Sequence, residues 1–420
     1  MDDIVQPANE TRNYWALIWH AMWLALAITF ADVNTVLPAL ILNVGGTQLH
    51  IGILTSIMIG IPLISQLLFA GYLKEKELKK GYLLFGIYLR VTALAGVALT
   101  LFNQQYFSSS MIILIVFGWM IIFSLSGAFA GISYQDILGK SIIGETRKKF
   151  LVSRQFLSSI CLLISALIAR ELLKQFDYPE NYLIFFISAA IFLFIAALGF
   201  WVIKEKPTKV EKDGRNLYSI FKSIPSVLKE NKNMRNLIIL SNLIGFAIVL
   251  IPFFIVLLKD EAHINKSLIG NFLLLLIIGM IISNYGWHKI VKKSAFKGVM
   301  KFAIFIFSLL PPIALIFAYY LPVELFVVVF LLTGTAISGY KIAVEGILLE
   351  ITTESNRALY SGIFGAFNIT ISIFPLLIGI LVMSLGYVSI FLAVSLLSFT
   401  ALLFVNKLEC GIDNMVKDNR

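Results

Sequence analysis

Cysteine, histidine and charge are all scarce in this chain, and each scarcity excludes something. The two cysteines, Cys161 inside an apolar run and Cys410 near the C-terminus, have neither metal-ligand spacing nor an evident disulfide partner, and are read as inert. The four histidines, His20, His50, His263 and His288, form no metal or acid/base pattern, which counts against a membrane enzyme acting on lipid-linked substrates. No P-loop is present, so no ATP motor is expected within the chain. No cofactor is implied. Charged residues make up only 14% of the 420 residues, against about a quarter in a soluble globular domain.

What is abundant is apolar surface: 59% of residues are hydrophobic and the mean hydropathy is +0.89. The apolar residues fall in blocks of roughly 20 or more, the length a helix needs to cross the hydrocarbon core. Twelve such blocks lie near 14–42, 51–73, 81–103, 109–136, 150–173, 182–203, 236–258, 267–290, 298–321, 323–350, 358–385 and 387–405. Barrel strands would show alternation over about ten residues instead. The expected fold class is therefore an all-α integral membrane protein, with the lipid bilayer as its first partner.

The net charge of +10 could be taken for nucleic-acid affinity, but its distribution follows membrane orientation. Most Lys and Arg fall on the side of the N-terminus, including "KEKELKK" at 74–80, "ETRKKF" at 145–150 and the segment Lys204 to Arg235. By the positive-inside rule both termini are expected in the cytoplasm, and no nucleic acid is expected as partner. The run after "MDDIVQPANETR" is too long for a signal-peptide core, so cleavage is not expected, although Ala25-Leu26-Ala27 offers a small-residue site.

The longest polar segment separates six spans from six. The expected organisation is a first half over 1–203, a cytoplasmic linker over 204–235, a second half over 236–405 and a tail over 406–420. Leu217, Ile220, Phe221, Ile224, Val227 and Leu228 recur at helical spacing beside Lys222 and Lys229, as in a helix lying on an anionic leaflet; an ordinary solvated loop is the alternative, since Pro225 weakens the helix. The halves echo one another: "GETRKKFLVSRQF" after span four aligns with "TESNRALYSGIFGAF" after span ten, pairing Arg147 with Arg357 and Phe150 with Tyr360. Internal six-helix repeats are transporter architecture.

After span two, "GYLKEKELKKG" resembles the loop of the major facilitator superfamily, whose pattern is Gly-x-Leu-Ala-Asp-Arg-x-Gly-Arg-Arg. Gly71, Leu73, Lys79 and Lys80 match in place or in charge, Glu75 stands for the acid and Lys76 for the arginine; Lys74 and Leu78 depart from it. The counterpart after span eight, "YGWHKIVKKSAFKG", keeps Gly286, Lys292 and Lys293 but no acid. With twelve spans and a long central loop the resemblance covers essentially the whole chain. Such a loop can pair with helix ends and carboxylates and release them when the halves rock apart, acting as a gate latch; the same lysines also serve simply to set orientation. The Gly- and Pro-rich pattern that some proton-exchanging members carry on span five is missing from 149–174.

Few ionisable groups lie inside spans: Asp32 on span one, Arg90 on span three, and Lys341 and Glu345 on span ten. Each costs roughly 2.5–3.5 kcal/mol on insertion scales, so each should face the interior, pair or serve transport. The resemblance implies that spans one, four, seven and ten line a central cavity. Lys341 and Glu345, at i and i+4, then form either a structural pair or a substrate contact. Asp32, near Asn34, is the first choice for a proton site, a carboxylate partly removed from water being suited to reversible protonation; a permanent Asp32–Arg90 bridge is the competing reading. Asp136, Arg147, Arg154 and Arg357 are expected in a cytoplasmic network, and His20, beside Trp19 and Trp23, as an interfacial anchor. The functional expectation is a secondary transporter of a small solute, working by alternating access, coupled to protons and acting as a monomer. The alternatives are a transporter-like sensor and, behind it, the membrane enzyme.

Overall fold

The computed structural model describes residues 7–74, 76–142, 144–207, 225, 228–262, 266–352 and 357–408, and among them there is no strand. The helices are α1 (Pro7–Thr29), α2 (Val36–Asn43), α3 (Gln48–Thr55), α4 (Ile61–Lys74), α5 (Lys80–Phe102), α6 (Ser109–Ser141), α7 (Gly144–Gln175), α8 (Glu180–Val202), α9 (Lys232–Ile248), α10 (Pro252–Ala262), α11 (Lys266–Tyr320), α12 (Val327–Ile351), α13 (Arg357–Ala366) and α14 (Ile369–Asn406). A π-helical turn, Ser56–Gly60, joins α3 to α4. Helices prevail because hydrocarbon offers backbone N–H and C=O groups no partner but each other. The amphipathic stretch expected over 217–228 lies almost wholly outside the described residues.

Nine stretches among the described residues are long and apolar enough to cross a bilayer. Two of them, of 53 and 44 residues, far exceed one crossing, and each is broken. In α11 the break is at Ser294 and Ala295, the latter at φ 52°; in α14 it is at Gly386, where φ is 76° and only glycine is unstrained. Each long helix thus supplies two crossings. The first span, which Asn13, Tyr14 and His20 make less apolar, is the one expected crossing outside the nine, so helices stand where all twelve are expected.

Spans one and seven are both discontinuous. Span one runs as α1 and α2 with non-helical backbone between Thr29 and Val36; span seven runs as α9 and α10 across Val249–Ile251. Pro252 opens α10 because its ring suits a first turn but cannot donate to continue α9. Span eleven breaks too, at Phe367 and Asn368. There Asn242 of α9 clamps the gap, its Nδ2 donating to the Phe367 carbonyl at 2.8 Å and its Oδ1 accepting from the Thr370 N–H at 3.0 Å.

Packing divides the chain into two compact units that cut across chain order. One comprises Met1–Asp32, Asn43–Gly45 and Ile64–Asn216; the other comprises Val33–Leu42, Gly46–Leu63 and Leu217–Arg420. In the first unit α1 packs on α7 and α8, and α5 on α6 and α8. Gly199 lets α8 meet α1, where an added Cβ would stand 2.6 Å from the Ala16 carbonyl oxygen. Asn13 closes the same contact with two hydrogen bonds to the Lys204 backbone, at 3.0 and 3.1 Å. In the second unit α11 packs on α12, α9 on α14, and α3 on α14. Its core includes the stacked, fully buried pair Phe272 and Phe330, 4.8 Å apart.

Candidate functional site

The basic loop after α4 is tied down inside the first unit. The Glu205 carboxylate accepts from the Lys79 and Lys80 backbone N–H groups, both at 2.7 Å, and so caps α5 at the end where a helix favours an anion. Lys80 Nζ answers by donating to the Trp201 and Ile203 carbonyls, at 2.7 and 2.9 Å, which α8 leaves open at its end. Lys140 reaches Glu205 at 3.1 Å and also pairs with Asp136, whose other oxygen meets Lys79 Nζ at 2.7 Å. Arg147 caps α6 through the Gly139 and Ile142 carbonyls, at 2.6 and 2.8 Å. Gly71 lies within α4, and Lys76 stacks its ammonium over Tyr72, 4.7 Å from the ring centroid. Glu75 and the side chain of Arg357 lie outside the described residues. The described contacts of Lys79 and Lys80 are thus with spans of their own unit.

This arrangement has a measurable consequence. Glu205 is buried, with 3% of its side chain exposed, and holds two amides and an ammonium at once. Glu205→Gln is expected to destabilise the purified protein by about 1–3 kcal/mol, as loss of charge-assisted bonds at a buried carboxylate does. A thermal melt beside Lys76→Gln, whose stacked ammonium is solvated and whose loss should fall below about 1 kcal/mol, checks the ordering.

The same unit encloses a cavity of ≈ 340 Å³ among α1, α5, α6 and α7. Its polar lining is His20, Arg90, Tyr134, Arg154, Gln155 and Ser158, with no Asp or Glu. Arg90 lies over the Phe123 ring, 4.2 Å from its centroid, and its Nε is enclosed without a hydrogen-bond partner. Arg154 stands within hydrogen-bonding reach of the Tyr134 hydroxyl and 5.8 Å from the Phe150 ring. His20 Nδ1 is 3.2 Å from the Ala196 carbonyl, which it can only approach as a donor, leaving Nε2 as acceptor while the ring is neutral. A larger cleft, ≈ 840 Å³, lies in the second unit among Glu230, Lys232, Arg235 and Lys407; charges of both signs there are what a solvated face presents.

The residues read from the sequence fall at separate places. Asp32 and Asn34 sit in the break of span one, partly exposed, and Asp32 is not among the groups at Arg90. Lys341 and Glu345 occupy exposed positions one turn apart on α12. Asp136 joins Lys79 and Lys140, whereas Arg154 belongs to the cavity wall. His20, expected as an interfacial anchor, is buried at 6% exposure on that same wall. The sequence reading missed Glu205, Lys140 and Tyr134. Of these, only Lys140 carried a local signal, its i+4 spacing from Asp136.

The profile of the Major Facilitator Superfamily matches residues 22–321 and 236–408. No curated protein sequence matches the chain. Among solved structures, it is similar to a POT family transporter in complex with a thioalcohol-conjugated peptide, at TM-score 0.72 and 11% identity over 94% of this chain and 96% of that one. It is similar also to the nucleoside transporter NupG, at TM-score 0.64 and 14% identity over 95% and 99%. A third is the human organic anion transporter MFSD10, at TM-score 0.65 and 13% identity over 95% and 100%. Identities this low speak for the fold alone, but the profile runs through both sets of six helices, and on that ground the chain belongs to the major facilitator superfamily, as a transporter rather than an enzyme.

Proposed function

We propose that the chain moves a small solute across the membrane by alternating access, as a secondary transporter coupled to protons. The observation that carries the proposal is the pair of discontinuities in spans one and seven, which hold corresponding places in the two sets of six. Interrupted helices expose backbone carbonyls and half-helix ends at membrane depth, where transporters of several folds bind substrate and coupling ion. Asp32 and Asn34 sit in the first of these interruptions, and Asp32 is the proton site in this reading. Lys341 and Glu345, exposed on α12 at i, i+4 spacing, are in this reading a switchable pair, weak enough for an anionic group of the solute to displace.

The test is flux in proteoliposomes with and without a pH gradient, over a panel of metabolites and drugs. Wild type is expected to accumulate its solute several-fold more with the gradient imposed. Asp32→Asn, which keeps the shape and removes the titration, is expected to lose that gradient-driven part while still exchanging solute. Intact gradient-driven accumulation in Asp32→Asn would show that the proton site lies elsewhere.

A further inference from the structure

We propose that the cavity in the first unit is an anion-recognition site, where a carboxylate or phosphate group of a small organic solute completes the hydrogen bonding of Arg90 and meets Arg154 and Tyr134 beside it. This rests on the reading of the chain as a solute transporter and names the class of solute.

Four observations converge. Arg90 stands ten residues into α5, about 15 Å along an apolar span, and Arg154 five residues into the apolar stretch Lys149–Gln175. Among the described residues neither has a carboxylate partner, and the cavity wall carries none. The Phe123 ring attracts the Arg90 cation but accepts little from its five N–H donors, and the enclosed Nε has no acceptor at all. A charged group inside a membrane protein is ordinarily matched, and here the protein leaves the matching anion to be supplied from outside.

The shape of the wall agrees. An added Cβ at Gly127 would stand 3.4 Å from Arg90 Nε, and one at Gly131 would meet nothing within 4 Å. Gly131 therefore packs against nothing and keeps space open, unlike glycines that bring helices together. At ≈ 340 Å³ the cavity lies at the small end of ligand pockets, fitting a compact anion. Tyr134 and Gln155 bring further donors to the wall, the Ser158 hydroxyl being engaged with the Ala21 carbonyl at 3.3 Å, and the His20 Nε2 becomes a further donor on protonation.

The experiment is thermal unfolding of the purified full chain in detergent, with benzoate, citrate or inorganic phosphate each replacing chloride at constant ionic strength. At least one is expected to raise Tm by about 3 °C at saturating concentration. Arg90→Gln should lose that shift and Arg90→Lys keep part of it. Gly131→Leu, which fills space without touching a charge, should also lose it while melting in chloride like wild type. Arg90→Leu, relieved of the unmatched charge, should melt higher than wild type in chloride. No shift with any of the three anions, or an equal shift in wild type and Arg90→Gln, overturns the proposal. A shift produced by added phosphatidylglycerol that none of the soluble anions competes away assigns the site to a lipid headgroup and overturns it as well. Because this readout needs no flux, Arg90-dependent binding with inactive proteoliposomes would tell against the transport reading and leave the anion site standing.

Discussion

Gly334→Ala is expected to cost the protein about 3 kcal/mol or more, enough to show as collapsed yield or a deeply lowered melting temperature. On α12, Gly334 faces the backbone of α11 so closely that an added Cβ would overlap the Leu276 carbonyl, with the Met280 amide nitrogen only 3.0 Å away. Gly279 of α11 stands in the reciprocal position against the Leu331 carbonyl. Backbone cannot swing aside as a side-chain tip does, so the helices must separate. In a membrane this loss is severe, because helices there associate by close packing with no hydrophobic gain to fall back on. Ser338 on the same helix would be pulled from Asn284, its partner at 2.6 Å. Gly286→Ala, which meets no atom within 4 Å, is the control and should melt like wild type; equal losses in the two would show that the contact is unimportant.

Gly52→Val is expected to open the contact between α3 and α14 and to cut flux at least tenfold, which corresponds to about 1.4 kcal/mol or more in the step it blocks. The first part of span two, Gln48–Gly60, belongs with the second unit and lies along α14. A Cβ at Gly52 would overlap the Pro375 carbonyl; one at Gly60 would come within 2.8 Å of Ser372 Cα, and one at Gly379 within 2.7 Å of the Gln48 carbonyl oxygen. Beyond the seam, Asp260 accepts from Gln48 at 2.7 Å and from the Tyr387 hydroxyl at 2.6 Å. In the alternating-access reading proposed above this seam would form and part in every cycle, so a side chain that cannot fit would hold the cycle at one stage. A cysteine placed at Ser56 should then react faster with a membrane-impermeant reagent in the Gly52→Val background. Unchanged labelling and unchanged flux would mean the seam does not gate.

The crossings were legible because hydropathy alone decides which segments hydrocarbon accepts. The interruptions were not. Pro252 marks the break in span seven, but span one opens at Phe30–Thr35 with no glycine or proline inside it, and Ala295 turns the chain at a φ that residue type does not announce. At the loop after α4, the lysines could be read from their pattern. Their partner Glu205 lies 126 residues from Lys79, and separation of that order leaves no periodicity to detect. Arg90 stood out as a lone charge on an apolar helix, yet the sequence offered Asp32 as its partner, because both are rare. Which face each helix turns inward decides the matter, and on α6 that face is marked by Gly127, Gly131 and Tyr134, residues ordinary enough one at a time to be taken for packing.

The double tie at Lys204 and Glu205 bears on how this chain can be taken apart. Hydropathy puts the end of the first six helices at 203, but Asn13 holds the Lys204 backbone and α5 takes its cap from Glu205. A gene split at codon 203, for co-expression of two fragments or for inserting a fluorescent protein, would strip the first fragment of the residues that finish it. The cut therefore has to fall after Lys206, whose carbonyl accepts from Lys140.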